Sequence, residues 1–387
     1  MTLRLEYDLV LAPSSHVDQI VATVRAGLLA HRTDNQAEID MTYRTNTTQD
    51  DLRLSLSVEL ELGSFGMAER GAAGLAALLA GTSFRDPAIR NVRLSAFRYL
   101  GDGTFFPGPA RGTGLLDASA RPAPWLSVPV PKTAARQAWN EVSRTLVRAG
   151  VQVITDLSLN VSDQELTTRS AAVAEEATDD HPVVLFFNAT SRLEYAVQLV
   201  EKIATTLQPR LPNITIGIRM CPVAMGFSVL EYLRAWNVPI FAYTLTAYPS
   251  GRTSWSQSAY ASMIHAMGGD VVNIGLLSVP ALRAGTLYEA IMPLLSRRSN
   301  RKASLPALTG GVEPRVAYEY AAAVGDPVLL HTMTPIFRGG LDRRNVRKRV
   351  TAIREAVEAG RRSLDIDRLF AERNSSVRNW QELEEGR

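Results

Sequence analysis

The chain has 387 residues, 46% hydrophobic and 21% charged, a composition that suits a globular protein of about two domains. Its 42 basic and 39 acidic residues leave a net charge of +3, too even a balance to point to nucleic acid. Cys221 is the only cysteine, which excludes a disulfide framework and any cysteine zinc site and fits a reducing cytoplasm. The opening segment, MTLRLEYDLVLAPSS, is too polar for a secretory signal, and no run approaches the length of a membrane span.

In chain order, residues 3–11 alternate like a strand and Val17 to Leu29 has helical spacing. Residues 37–44 and 52–62 read as strands, Met67 to Leu79 as a helix and Val92 to Leu100 as a last strand. The order βαββαβ predicts a ferredoxin-like α+β domain over 1–122, ending in the Gly-, Pro- and Ala-rich stretch Gly101 to Pro124.

The period then changes. Strand-length apolar runs recur at Leu126–Val130, Val151–Ile154, Val183–Phe187, Ile214–Ile218, Pro239–Tyr243, Val271–Ile274, Leu305–Leu308 and Val328–Leu330. Helical patterns separate them, among them Thr133–Arg148, Ser254–Met267, Leu282–Leu295, Glu313–Val324 and Asp342–Gly360. The last carries Val346, Val350, Ile353 and Val357 on one face behind an Asp342 N-cap, and the basic run Arg343 to Arg349 reads as its solvated face. Eight alternations predict an α/β fold with a C-terminal (β/α)₈ TIM barrel over 123–362, followed by a helical tail over 363–387.

In such a barrel the chemistry sits where strands end. Those ends read Lys132, Asp156, Asn188, Arg219, Tyr243 with Thr244, Asn273, Thr309 with Gly310-Gly311, and His331 with Thr332. Each also has a structural reading: Lys132 as a solvated cap, Asp156 and Asn188 as turn residues, His331 as a core histidine. Arg219 ends an otherwise apolar strand, where an unpaired guanidinium is costly, so a carboxylate or phosphate partner is expected. The paired glycines at 310 and 311 offer N–H groups at a helix start, where an anion is favoured. His16, His31, His181 and His265 have no companions at ligand spacing, and no carboxylate cluster suited to a hard metal stands at a strand end.

Several ordered segments resemble the large subunit of ribulose-bisphosphate carboxylase, above all its non-carboxylating relatives, the RuBisCO-like proteins. They are Phe106-Pro-Gly-Pro-Ala-Arg-Gly112, the stretch Ala149 to Asp156, Phe187-Asn188-Ala189-Thr190, Gly226-Phe227, Gly268-Gly269-Asp270 with Asn273, and Thr309-Gly310-Gly311. The last resembles the Ser-Gly-Gly that contacts a substrate phosphate. The resemblance implies a homodimer in which one N-terminal domain packs across the partner's barrel mouth.

The departures bear on chemistry. At the family's carbamylated lysine and its two carboxylates, this chain has Thr155, Leu157 and Ser158, with only Asp156 kept between. The first-strand lysine falls near Pro129, with Lys132 the closest amine. Tyr243-Thr244 replaces a His-Arg pair, Asn273 replaces a histidine, and Pro280, with Arg283 close by, stands near the mobile-loop lysine's place. The family's magnesium site is therefore expected to be lost, and with it carboxylation. The expected function is a metal-independent, isomerase-type or enolate-chemistry enzyme acting on a phosphorylated sugar-like metabolite. Asp156, Tyr243, His331 and Lys132 are its catalytic candidates, and Asn188, Arg219, Asn273, Thr309, Gly310 and Gly311 its substrate contacts. The alternatives are a non-catalytic binding or assembly protein on the same fold, or a metal held by unrecognised ligands.

Overall fold

The computed structural model describes residues 2–34, 38–48, 51–65, 67–80, 84, 86–100, 106, 108–116, 124–131, 136–243, 253–275, 294, 302–323, 327–372 and 375–384. The N-terminal strands are β1 (Thr2–Leu11), β2 (Ile39–Thr47), β3 (Leu52–Glu61) and β4 (Ile89–Leu100), with the helix Val17–Leu29 after β1 and Met67–Ala80 after β3. The order β4-β1-β3-β2, antiparallel throughout, is that of a ferredoxin-like sheet. Alternation decides its buried face: Leu3, Leu5, Tyr7, Leu9 and Leu11 of β1 lie beside Leu54, Leu56, Val58 and Leu60 of β3.

Eight parallel strands close the barrel: β5 (Trp125–Val130), β6 (Val153–Asp156), β7 (Val183–Asn188), β8 (Ile214–Met220), β9 (Ile240–Ala242), β11 (Val271–Asn273), β12 (Leu305–Thr309) and β13 (Leu329–His331). All eight apolar runs are strands, and β9 pairs with β11 to complete the ring. The sheet is buried on both faces, so its runs are nearly continuously apolar. Alternate residues form two populations. Trp125, Val153, Val184, Phe186, Phe241, Val271, Leu305, Ala307 and Leu329 make a separate cluster inside the ring, while their neighbours join the outer core under the helices.

The segment before the barrel seals the ring's N-terminal end. Leu115 and Leu116 belong to the interior cluster, and the Asp270 carboxylate, just before β11, accepts from the backbone N–H groups of Arg111, Gly112 and Ile240. Gly112 (φ 57) passes so close to the Ala303 carbonyl that a Cβ there would collide with it, so the linker requires glycine at this point.

Two expectations are corrected. Ser254 and Trp255 do not begin a helix: they belong to β10 (Thr253–Trp255), which pairs in parallel with β4 and adds a fifth strand to the N-terminal sheet. The helix starts at Gln257 behind a Ser256 cap, and Trp255 stacks on Phe227 at 5.5 Å. Secondly, the basic run of the helix Arg343–Arg361 is not solvated throughout. Arg343, Arg344, Arg347 and Lys348 are exposed, but Arg349 is buried over the Trp380 ring and paired with Glu384 of the C-terminal helix Ser376–Glu384. The Asp342 cap is as expected, accepting from Asn345 N–H at 2.9 Å. The predicted helix Leu282–Leu295 falls, except for Leu294, outside the described residues.

Candidate functional site at the barrel mouth

Register separates the candidates. Asn188, Arg219, Tyr243, Asn273, Thr309 and His331 share the inward phase of their strands, at the C-terminal ends. Asp156 has the outward phase. Its carboxylate is fully buried beneath the helices and ion-paired with Arg169, itself 4% exposed, while also accepting from Ser158 N–H at 2.8 Å. Arg169 donates on to Ser158 Oγ at 3.0 Å and Glu165 at 2.8 Å, and lies over the Trp139 ring at 5.2 Å. Asp156 is therefore not brought to the mouth. Alternation sets Asp156, the last residue of β6, opposite Thr155, but a strand apolar on both faces gives no sign in sequence of which phase turns inward. Lys132, Thr244, Pro280 and Arg283 lie outside the described residues.

The inward residues form two polar groups above an aromatic floor. On one side, Tyr243 crosses the top of β8: its hydroxyl donates to Thr190 Oγ1 at 2.9 Å, which also accepts from Cys221 N–H at 3.0 Å. Beneath it the Arg219 guanidinium lies over the ring, 3.8 Å from the centroid. Asn188 Oδ1 accepts from Thr190 N–H at 3.0 Å. On the other side, Asn273 Oδ1 accepts from Thr309 Oγ1 at 3.0 Å and Gly275 N–H at 2.7 Å. Gly310, at φ 147, then turns the chain into the helix Pro314–Ala323, and the N–H of Gly311, beyond the strand ladder, makes no turn or loop hydrogen bond among the described residues.

The floor is Phe186, Phe241 and His331, with Phe241 edge-on to Phe186 at 5.5 Å and to His331 at 5.1 Å. His331 Nδ1 is 2.8 Å from Ser127 Oγ, and its Nε2 has no partner among the described residues. Ser127 is fully buried and was not a candidate: its only sequence signal is a polar residue with inward phase in the first barrel strand. Burial, and then the charge of Arg219 reaching across the ring, push the His331 imidazole down to about 3, so it is neutral near pH 7. Burial also lowers Arg219 from its usual range, and no ion pair answers its charge among the described residues. Of the carboxylate or phosphate partner expected for it, an internal carboxylate is not found among the described residues.

No protein-family model and no curated protein matches the chain. Solved structures do. An octameric ribulose-1,5-bisphosphate carboxylase/oxygenase from Pyrococcus horikoshii OT3 superposes with a TM-score of 0.76 at 17% identity, over 99% of this chain and 92% of that one. The chain has the RuBisCO fold. A rubisco-like protein from Burkholderia fungorum gives a TM-score of 0.75 at 18% identity, over 98% of this chain and 99% of that one. A dimeric archaeal Rubisco from Hyperthermus butylicus gives 0.76 at 16% identity, over 98% and 95%.

The magnesium chemistry of this fold needs an amine and clustered carboxylates on the second barrel strand. Thr155, the inward residue there, has no amine to carbamylate, and its buried Oγ1 has no hydrogen-bond partner. Asp156 faces away and is committed to Arg169. Among the described residues no group of three or more His, Cys, Asp or Glu could hold a metal ion. These donors do not fit magnesium.

Proposed function

We propose that the chain is a RuBisCO-like protein without carboxylase activity that works without the fold's magnesium, through proton transfer on a phosphorylated, sugar-like metabolite. The observation that carries this is a neutral His331 facing a cationic Arg219 in a mouth with no inward carboxylate among its described residues. The Gly310-Gly311 turn would take a phosphate, Arg219 would stabilise negative charge developing on an enolate, and His331 Nε2 would accept the proton. Asp156 has no part in it. Bound anion would offset the Arg219 charge that opposes protonation of His331, so substrate itself raises the strength of the base. The test is a thermal-shift screen of sugar phosphates, followed by NMR of each hit in deuterated water. Deuterium entering the ligand at carbon supports catalysis. Binding without exchange favours the rival reading, a non-catalytic receptor, which the Tyr243 ring covering Arg219 also suits.

Magnesium with bicarbonate is expected neither to raise the melting temperature nor to change ligand binding, since a ligand that does not bind the native state cannot stabilise it. A magnesium-dependent shift, or a carbamate signal with ¹³C-bicarbonate, would overturn the metal-independent reading.

Gly311→Asp tests the phosphate turn. A Cβ at Gly311 meets no atom within 4 Å, so the fold should survive while the added carboxylate repels the anion. The expected result is an unchanged melting temperature with binding of any phosphorylated hit abolished. Unaltered affinity would reduce the glycines to a turn.

A homodimer is also proposed. Leu159, Leu193 and Val223, exposed by 46%, 47% and 38%, stand after β6, β7 and β8 and line one arc of the mouth with apolar surface. Light scattering should return twice the 42.3 kDa chain mass at micromolar concentration; a stable monomer would refute it.

A further inference from the structure

We infer that Arg219, held under Tyr243, is a receptor for a planar carboxylate that enters the barrel mouth edge-on. Three observations carry this. Arg219 Nε is buried without a hydrogen-bond partner, a cost that a protein tolerates where something else completes the bond. One face of the guanidinium is occupied by the Tyr243 ring at 3.8 Å, so what it offers a ligand is its in-plane edge, the Nε and Nη donors side by side. That edge matches the two oxygens of a carboxylate. The ring itself is fixed at both ends, by the chain after β9 and by its hydroxyl on Thr190 Oγ1, so the guanidinium plane is set before the ligand arrives.

Among the described residues the surroundings supply donors but no competing anion. Asn188 Oδ1 and Asn273 Oδ1 are already taken by Thr190 N–H, Thr309 Oγ1 and Gly275 N–H, which leaves their amide N–H groups without partners among the described residues. Asp156, the carboxylate on β6, is turned outward onto Arg169. A planar group slides into the guanidinium plane beside the ring. A tetrahedral phosphate would push an oxygen toward the ring face, and the Gly310-Gly311 turn, after a different strand, is the place the fold offers it instead. The inference rests on the mouth being a ligand site, but it holds for a catalyst and a non-catalytic receptor alike.

Isothermal titration of the full chain with oxalate, and separately with inorganic phosphate, tests it. Wild type should bind oxalate, and Arg219→Lys, which keeps the charge but loses the fork, should weaken it about tenfold or more. Tyr243→Phe, which keeps the ring but frees its far end from Thr190 Oγ1, should weaken oxalate binding less than Arg219→Lys does. Phosphate binding should survive Arg219→Lys and fail in Gly311→Asp. As a check independent of any variant, oxalate should protect Arg219 of the wild-type protein from phenylglyoxal, read by peptide mass spectrometry, and phosphate should not. No oxalate binding, full binding by Arg219→Lys, or protection by phosphate alone would overturn the inference. Retained phosphate binding by Gly311→Asp would instead count against the phosphate turn of the proposed function and leave the carboxylate site standing.

Discussion

Asp156→Ala should lower the stability of the protein by about 3 kcal/mol, because breaking a buried pair leaves its partner charge uncompensated. The partner is Arg169, 4% exposed, whose Nε already lacks a hydrogen bond. Its remaining contacts, Glu165 at 2.8 Å and Ser158 Oγ at 3.0 Å, hold the loss toward the low end of the range for such deletions. The urea midpoint should fall with an unchanged m-value, while oxalate affinity at the mouth stays that of wild type under conditions where the variant is folded. This separates structure from catalysis. A catalytic or metal-binding Asp156 would show the opposite pattern, near-normal stability with lost function. The double variant Asp156→Leu/Arg169→Met should recover much of the loss, since apolar replacement of a buried pair is often neutral or better.

His331 should make the protein acid-sensitive well above the pH at which its own imidazole protonates. Its folded value of about 3 lies below the ordinary 6.5. Between those limits the unfolded chain binds a proton that the folded chain refuses. Stability from this group is therefore fully present above pH 6.5 and lost progressively as pH falls toward 3. From pH 7 to pH 4.5 the loss is about 2–3 kcal/mol by linkage. Urea titrations at the two pH values should show it in wild type and not in His331→Gln. Equal slopes in the two proteins would mean that the imidazole titrates normally and is not buried beneath the mouth. Oxalate on Arg219 should relieve part of the effect, because it offsets the second cause of the depression. Oxalate binding should accordingly be accompanied by proton uptake as pH falls toward the His331 value of about 3.

The architecture was legible because it rests on patterns that short segments carry. Period-two alternation in β1 and β3 and apolar runs between amphipathic helices each follow from which surface must be buried, and the structure places a strand at every run. The Asp342 cap and the glycine turn at Gly310 are equally local, since each depends on one residue's side chain or dihedral angles.

What tertiary structure alone decided was phase, distance and company. A strand end names a position but not its face: Asp156 and His331 looked alike as polar residues after apolar runs, yet one turns outward to Arg169 and the other inward to Ser127. Trp255 reads as part of a helix until β4 offers it a backbone to pair with. The cluster of Ser127, Arg219, Tyr243 and His331 joins β5, β8, β9 and β13, whose residues meet only when the ring closes. Closure also excludes water, and burial is the first cause of both the neutral imidazole and the depressed guanidinium, so the electrostatics of the mouth could not be read before the barrel was built.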